Sequence, residues 1–346
     1  MARSIDPTLH QCDDFYQFVC FGWMKEHPIS EYDVAMMVEK LKESFLEMLS
    51  EETWIDEKTK EQAREKALAM RQFVGYNPDI FNQTAISIKY STLDIPQNLS
   101  SWEVDVRVGK WLADNAYQTL FEKNVLGDFE FLASNVNAYY LSTQNTIAIP
   151  VGILQSPFFN ATQSIAQNYG AIGTIIGHEI THGFDNSGAQ YDMDGNLRNW
   201  WDKTTFSNFQ TKTQCFVDQY GSQRVENLTL KVNGNMTLGE NIADNGGFRA
   251  ALKAFQKLLR TNQGGSRSSA PELQKYTPLQ IFFMSYAYNW CAISRPSYLL
   301  DSVPEDSHSP NRIRVNTVIS NQPEFEQLFN CPKNSKMLDN PKCTLW

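Results

Sequence analysis

Apolar residues recur at helical spacing along much of this chain, and the first two such segments predict helices over residues 33–50 and 57–73. The apolar positions of the first segment are Val34, Met37, Leu41, Phe45 and Met48. The second segment is rich in strong helix formers and carries opposite charges four residues apart. Both patterns are typical of ordinary packing helices, so neither indicates a cofactor site.

The remainder of the chain predicts more helices and few strands. Helices are expected over residues 102–123, 165–184, 202–220, 238–260 and 278–292. The β elements are a short strand at 85–90 and a hairpin at 135–151, where β-branched and aromatic residues flank a polar turn. Residues 1–30 and the C-terminal tail are expected to be loop-rich. The predicted fold class is therefore mainly α with a small β element.

Composition narrows the function classes. The chain has 346 residues, of which 42% are hydrophobic and 20% charged, which is typical of a globular protein with a real core. Its net charge of −9 argues against nucleic acid as a partner. No apolar run reaches the roughly 18 residues that a membrane span needs. The first residues lack the apolar core of a signal peptide.

Cysteines and glycosylation sequons point outside the cell. The six cysteines contain no CxxC pair, which argues against a zinc ribbon. Six cysteines allow about 15 disulfide connectivities. They are Cys12, Cys20, Cys215, Cys291, Cys331 and Cys343. Five N-x-S/T sequons begin at Asn82, Asn98, Asn160, Asn227 and Asn235. Because these features favour an oxidising compartment, the missing signal suggests a trimmed chain or an incomplete gene product.

The stretch TIIGHEITHGFDN, residues 174–186, carries the first chemistry. On a helix, His178 and His182 share one face and can direct both imidazoles at one ion, for which zinc is suited. Glu179 projects to the side where a bound water would lie, which is the place for a general base. The alternative is a helix that merely contains two packing or surface histidines.

A second motif, TLGENIADNGG at residues 237–247, offers the third ligand. Glu240 and Asp244 lie four apart on a predicted helix. Two histidines and a glutamate would leave the fourth zinc position open for water, the arrangement of catalytic sites. Asp244 could accept the far N–H of a ligand histidine, His178 in particular. Taken alone, an E-x-x-x-D pattern is more typical of a solvated helix face.

These motifs carry a family resemblance. The chain resembles the catalytic part of the neprilysin and endothelin-converting-enzyme family of zinc endopeptidases. Matching text runs almost continuously over residues 135–346 and includes VNAYYLSTQNTIAIPVGILQSPFF, GENIADNGG, WCAISRPSY and DSHSPNRIRVN. A second patch covers CDDFYQFVCFGWMKEHPI and TWIDEKTKEQAREKALAM. The resemblance implies a gluzincin-type catalytic domain with one H-E-x-x-H helix and one E-x-x-x-D helix.

The resemblance also implies a role for each matching residue. The implied ligands of one Zn²⁺ ion are His178, His182 and Glu240, and the implied catalytic residues are Glu179, His308 and Asp244. The implied substrate-binding residues are Asn137, Ala138, Arg314, Ile153, Phe158, Ile175 and Trp290. The last four of these would form an apolar pocket, which favours cleavage on the amino side of hydrophobic residues. The implied disulfides are Cys12–Cys331, Cys20–Cys291 and Cys215–Cys343.

The chain is shorter than members of this family. Much of a helical second lobe, which roofs the active-site cavity, has no counterpart after residue 33 or between about 75 and 135. We therefore divide the chain into an N-terminal strap and lobe remnant, residues 1–134, and a zinc-protease domain, residues 135–346. The expected partners are oligopeptides, with self-association through uncovered apolar surface. The alternative function is a catalytically weak or inactive peptide-binding product.

Overall fold

The computed structural model describes residues 31–76, 82–118, 121, 132–225, 228–261, 271–338 and 341–346. Within these residues the protein is mainly helical, as the sequence predicts. The elements in chain order are α1 Glu31–Glu51, α2 Glu57–Ala69, β1 Arg71–Gly75, α3 Gln83–Lys89, α4 Ser101–Gln118, β2 Tyr139–Leu141, β3 Thr146–Pro150, α5 Ile165–Gly170, α6 Ile172–His182, α7 Lys203–Gly221, α8 Leu238–Arg260, α9 Pro278–Asn289, α10 Pro296–Ser302, α11 Asn311–Asn321 and α12 Glu324–Leu328. The predicted loop at residues 1–30 lies outside the described residues. None of the described helices is long and apolar enough to cross a membrane.

A small three-stranded sheet has the order β1-β3-β2. β2 and β3 form the predicted antiparallel hairpin, with Tyr139 opposite Ala148. Asn145 precedes β3 with a left-handed φ of 46°, which asparagine tolerates better than most residues. β1 pairs in parallel with β3, from Arg71 opposite Thr146 to Gly75 opposite Pro150. β3 is central and wholly buried.

Several predicted boundaries were wrong. The segment expected as a strand at 85–90 is helix α3, whose N-terminus is capped by the Asn82 side chain. The helix expected over 57–73 ends at Ala69, because the following residues pair with β3. The helix expected over 165–184 is broken at Ala171 into α5 and α6. The C-terminal tail contains three helices, α10 to α12, where loops were expected.

The core is built around α6 and α8, which pack in backbone contact. A Cβ on Gly177 would lie 2.5 Å from the carbonyl oxygen of Gly247, and a Cβ on Gly247 would lie 2.3 Å from the amide nitrogen of His178. Only glycine permits this approach, which sets the two helices that carry the motifs side by side. α1 packs against both of them, and α9 packs against α5.

Two long-range ties hold the outer elements of this core. Asp56 and Thr205 lie at the N-termini of α2 and α7, where Thr205 Oγ1 donates to Asp56 Oδ2 at 2.6 Å and accepts from the Asp56 amide at 3.0 Å. The Cys215–Cys343 disulfide joins α7 to the C-terminal segment, as the resemblance implied. Cys291 and Cys331 are in no disulfide among the described residues. Their expected partners, Cys12 and Cys20, lie outside those residues, so these two pairings stay predictions.

Candidate metal centre

α6 presents His178 and His182 one turn apart. Their ring centroids are 4.4 Å apart and their ring planes are nearly perpendicular, at 89°. Both residues lie on a helix that is packed against the core, and the Nδ1 atom of each ring lies within hydrogen-bond distance of a carboxylate oxygen, so the rings are held in place. The spacing of four residues therefore brings two imidazoles to one point, as the sequence predicts.

Glu240, in the first turn of α8, reaches the same point. Its Oε2 lies 3.2 Å from His178 Nε2 and 3.5 Å from His182 Nε2. One ligand atom from each of these three side chains lies within 4.8 Å of the others, so the group could hold a metal ion. The glycine contact between α6 and α8 creates this convergence, because it fixes the distance between the two helices.

The hydrogen bonding and charge of Glu240 Oε2 indicate whether these residues suit a metal ion. The atom is buried and has no aligned hydrogen-bond donor, although three imidazole nitrogens surround it within 3.5 Å. Burial alone would raise the pKa of Glu240, but the neighbouring imidazoles hold it well below its usual range. A buried carboxylate without a donor, facing two imidazole nitrogens, is the donor set of a catalytic zinc site.

Asp244 fixes the orientation of the first histidine. Its Oδ1 lies 2.9 Å from His178 Nδ1, and because a carboxylate can only accept, Nδ1 is the donor and Nε2 faces the centre. Arg314 donates two hydrogen bonds to the same carboxylate, at 2.7 and 2.6 Å. Burial would raise the pKa of Asp244, but the Arg314 guanidinium and His178 lower it to about 2. Asp244 is therefore an anion placed to accept a hydrogen bond from His178, and its role at a metal centre stays a prediction.

Asp185 does the same for the second histidine, and the sequence reasoning missed it. His182 Nδ1 lies 2.6 Å from Asp185 Oδ2. Asp185 Oδ1 accepts hydrogen bonds from the amides of Ser187 and Gly188, at 2.7 and 2.6 Å. The available signal was a carboxylate three residues after a histidine at the end of a helix, where the next turn can fold back.

Glu179 lines the same cleft as the three candidate ligands, and His308 reaches one of them directly. Glu179 is buried, and this burial raises its pKa against the lowering effect of the two α6 histidines. His308 Nε2 lies 3.1 Å from Glu240 Oε2, while its Nδ1 lies 2.9 Å from Asp306 Oδ1. The hydrogen bond from Ser309 Oγ to Asn241 Oδ1, at 2.9 Å, ties the His308 loop to the helix of Glu240.

A single cleft of about 1330 Å³ contains nearly all the predicted site residues. Its lining includes every predicted ligand, Glu179, His308 and all seven predicted substrate-binding residues, namely Asn137, Ala138, Ile153, Phe158, Ile175, Trp290 and Arg314. Asp244 is buried behind the wall of the cleft. The Arg314 guanidinium lies 3.9 Å from the centroid of the Trp290 ring, so the cationic and apolar parts of the wall are in contact.

Comparison with known proteins agrees with this geometry. The sequence model of peptidase family M13 matches residues 137–345, and a second model with the same family description matches residues 30–77. Neprilysin-1 of Caenorhabditis elegans is 42% identical over 313 residues, which are 90% of this chain and 41% of that protein. Neprilysin of Homo sapiens is 39% identical over 319 residues, which are 92% of this chain and 42% of that protein. The chain thus spans about two fifths of the length of these relatives.

Solved structures give the same relationship. PEPO from Lactobacillus rhamnosis HN001 superposes with a TM-score of 0.80 at 30% identity, over 92% of this chain and 47% of that one. The zinc metalloprotease ZMP1 of Mycobacterium tuberculosis superposes with a TM-score of 0.75 at 29% identity, over 94% of this chain and 48% of that one. Because the family model covers more than half of the sequence and includes every residue of the proposed centre, the chain belongs to peptidase family M13.

Proposed function

We propose that the chain is a zinc-dependent endopeptidase that hydrolyses oligopeptides. The observation that supports this proposal is the convergence of His178, His182 and Glu240 from two helices, with the buried carboxylate of Glu179 beside them. When bound, zinc would supply a Lewis acid that polarises the scissile carbonyl and lowers the pKa of water.

The chain's own residues supply the proton transfers and the charge stabilisation. Glu179 accepts the proton of the attacking water and later delivers it to the leaving amine. His308 Nε2 faces the centre and can donate to the oxygen on which negative charge develops. Arg314 is fixed by its paired bonds to Asp244, which holds its guanidinium at the cleft wall for a substrate carbonyl.

The lining of the cleft supports a preference for hydrophobic side chains after the cut. Ile153, Phe158, Ile175 and Trp290 all line the cleft, and the Trp290 ring lies against the Arg314 guanidinium. Apolar lining of this kind favours Phe, Leu or Ile at that position. Asn137 and Ala138 lead directly into β2, so they can hold an extended peptide backbone by strand-like hydrogen bonds.

Two further parts of the proposal concern the openness of the cleft and the compartment in which the chain works. The second lobe that the family resemblance implies has few counterpart residues after residue 33 and between about 75 and 135, so we expect an open cleft that accepts longer peptides with poorer selectivity. Peptides of graded length test this point, because a sharp upper size limit would contradict an open cleft. The Cys215–Cys343 disulfide and the sequons favour an extracellular setting.

The test of the catalytic proposal is Glu179→Gln. This substitution removes the general base but leaves the three ligand side chains, so we expect zinc to bind and hydrolysis of a quenched peptide with Phe or Leu after the cut to fall about 10²–10⁴-fold. A chelator should abolish the wild-type activity, and added zinc should restore it.

The same assay distinguishes the alternative function. Hydrolysis by the Glu179→Gln variant at the wild-type rate would remove Glu179 from the mechanism. If the zinc-loaded wild-type chain binds the peptide and leaves it intact, the chain is a peptide-binding product without catalysis.

A further inference from the structure

Lys66 on α2 is a buried lysine outside the proposed catalytic residues. Its residue exposure is 1%, and in the part of the chain that the structure describes no carboxylate lies within ion-pair distance of it. A buried ammonium without a carboxylate partner is costly unless other groups compensate its charge. Other groups around Lys66 must therefore compensate its buried charge.

Three backbone carbonyls provide that compensation. Lys66 Nζ donates to the carbonyl oxygens of Gly183, Gly188 and Tyr191, each at 2.7 Å. The ring centroids of Tyr140, Phe184 and Trp200 lie 5.4–6.0 Å from the same nitrogen. The ammonium is thus enclosed by carbonyl dipoles on one side and by aromatic faces on the other.

The protonated form of Lys66 suits these acceptors. Burial lowers the pKa of Lys66 to about 7, while Asp185 and Asp192 act in the opposite direction. The carbonyls favour the ammonium, because a neutral amine has only two hydrogens for three acceptors.

All three carbonyls belong to the segment that directly follows His182. This segment, residues 183–191, also carries Asp185, which orients His182. The segment folds tightly, since a Cβ on Gly188 would lie 1.8 Å from the carbonyl oxygen of His182. Asp185 Oδ1 holds the segment through the Ser187 and Gly188 amides, and Lys66 holds it through its carbonyls.

Lys42 on α1 provides an internal comparison. It is also buried, at 8% exposure, and its Nζ donates to one carbonyl oxygen, that of Met70, at 2.9 Å. Glu39 lies 3.8 Å away as a partly exposed ionic partner. Lys42 thus shares the chemistry of a buried lysine bound to backbone but does not touch residues 183–191.

We propose that Lys66 is a positioning residue for the metal centre: its ammonium fixes residues 183–191 so that Asp185 orients His182 toward the ion. This inference rests on the proposed zinc site but not on catalysis. Groups that orient a metal-ligating histidine change metal affinity by about 10–100-fold when they are removed. Lys66 would act one contact further out, through the loop that carries such a group.

The experiment compares Lys66→Met with the control Lys42→Met. Methionine keeps an unbranched apolar chain of similar length but removes the charge and the donors. We expect Lys66→Met to raise the zinc dissociation constant about 10-fold or more, measured by competition with a chromophoric chelator, and to alter the visible spectrum of the Co²⁺-substituted protein. Lys42→Met should leave both unchanged.

A double-substitution cycle tests the route through Asp185. If Lys66 acts by holding that carboxylate, Lys66→Met should weaken zinc binding in the wild-type background and have little further effect in Asp185→Ala. Fully additive losses would overturn this route. Unchanged zinc affinity and an unchanged Co²⁺ spectrum in Lys66→Met would show that Lys66 only stabilises the core, whatever the peptidase assays give.

Two further measurements test the proposal if the Lys66→Met variant does not fold. Lys66→Gln keeps two donors and should retain a fold with an intermediate loss of zinc affinity. Hydrogen exchange on the unsubstituted zinc-free protein needs no variant: because Lys66 holds the loop before zinc binds, the Ser187 and Gly188 amides should already exchange slowly. Fast exchange there in a folded zinc-free protein would overturn the proposal.

Discussion

The region around α6 and α8 and the segment of residues 82–118 differ in how they are packed, although both are largely helical. Residues of α6 and α8 are mostly buried, and their backbones touch at Gly177 and Gly247. No residue of α3 or α4 is buried. The segment is held by local contacts, such as the hydrogen bond from Trp111 Nε1 to Thr92 Oγ1 and the stacking of Tyr90 on Trp111.

The contrast shows that an amphipathic pattern predicts a helix but not its burial. α4 exposes large apolar side chains at Trp102, Val106, Leu112 and Tyr117. In α8 the corresponding apolar face meets α6, α1 and α9 and becomes core. The proposed metal centre lies where two helices are in backbone contact, and this packing fixes the distance between ligand atoms from the two helices.

The largest expected effect is on stability, when an aromatic side chain is truncated in each of the two regions. Phe248→Ala removes a fully buried ring that packs on Phe282, Phe283 and Tyr286, so unfolding free energy should fall by about 3–5 kcal/mol. Trp102→Ala removes a ring that is 72% exposed and should change stability by less than about 0.5 kcal/mol. Urea unfolding measures both.

Trp102→Ala should also reduce self-association, measured by sedimentation, because it removes apolar surface from α4. A loss of stability as large as that of Phe248→Ala would mean that residues 82–118 belong to the core.

The next prediction compares the same change, glycine to alanine, at two positions where we expect opposite effects on stability. Gly247→Ala places a Cβ against the His178 amide nitrogen and should destabilise the fold by about 1–3 kcal/mol and weaken zinc binding, since α6 and α8 must separate. Gly109→Ala on α4 meets nothing within 4 Å and should stabilise by about 0.5–1 kcal/mol. Thermal unfolding and zinc titration of the two variants check the pair. Equal effects would remove the distinction between the regions.

The smallest effect concerns acid stability. Against the raising effect of burial, hydrogen bonds from Thr205 and Thr59 lower the pKa of Asp56 to about 2, from an ordinary value of 3.8. Since the folded value is the lower one, the stabilisation is complete above 3.8 and is lost as the pH falls through 2. After solvent screening this should amount to about 1 kcal/mol.

Comparison of Asp56→Asn with Glu103→Gln tests this effect. Glu103, on α4, has a pKa lowered by Ser100 but is fully exposed. Asp56→Asn should flatten the loss of stability in that pH window, and Glu103→Gln should leave the acid limb of the stability curve unchanged. An identical acid limb in the wild-type chain and Asp56→Asn would contradict the assigned role of the Asp56 cap.

Local pattern determined much of this molecule. The spacing of His178 and His182 and that of Glu240 and Asp244 each place two side chains on one helical face, because the helix repeat alone sets that geometry. The apolar periodicity of α1, α7, α8 and α9 likewise predicted those helices to within a few residues. In α3, however, β-branched residues favoured a strand, and the Asn82 cap with local hydrogen bonds made a helix.

The tertiary structure alone decided how those elements meet. Groups more than 70 positions apart are joined by the parallel pairing of β1 with β3, by the hydrogen bonds between Asp56 and Thr205, and by those from Lys66 to residues 183–191. A sequence pattern reports which residues share a face, since that depends on the local backbone repeat. It does not report which faces touch, because that depends on how the whole chain packs, down to the absence of a side chain at Gly177 and Gly247.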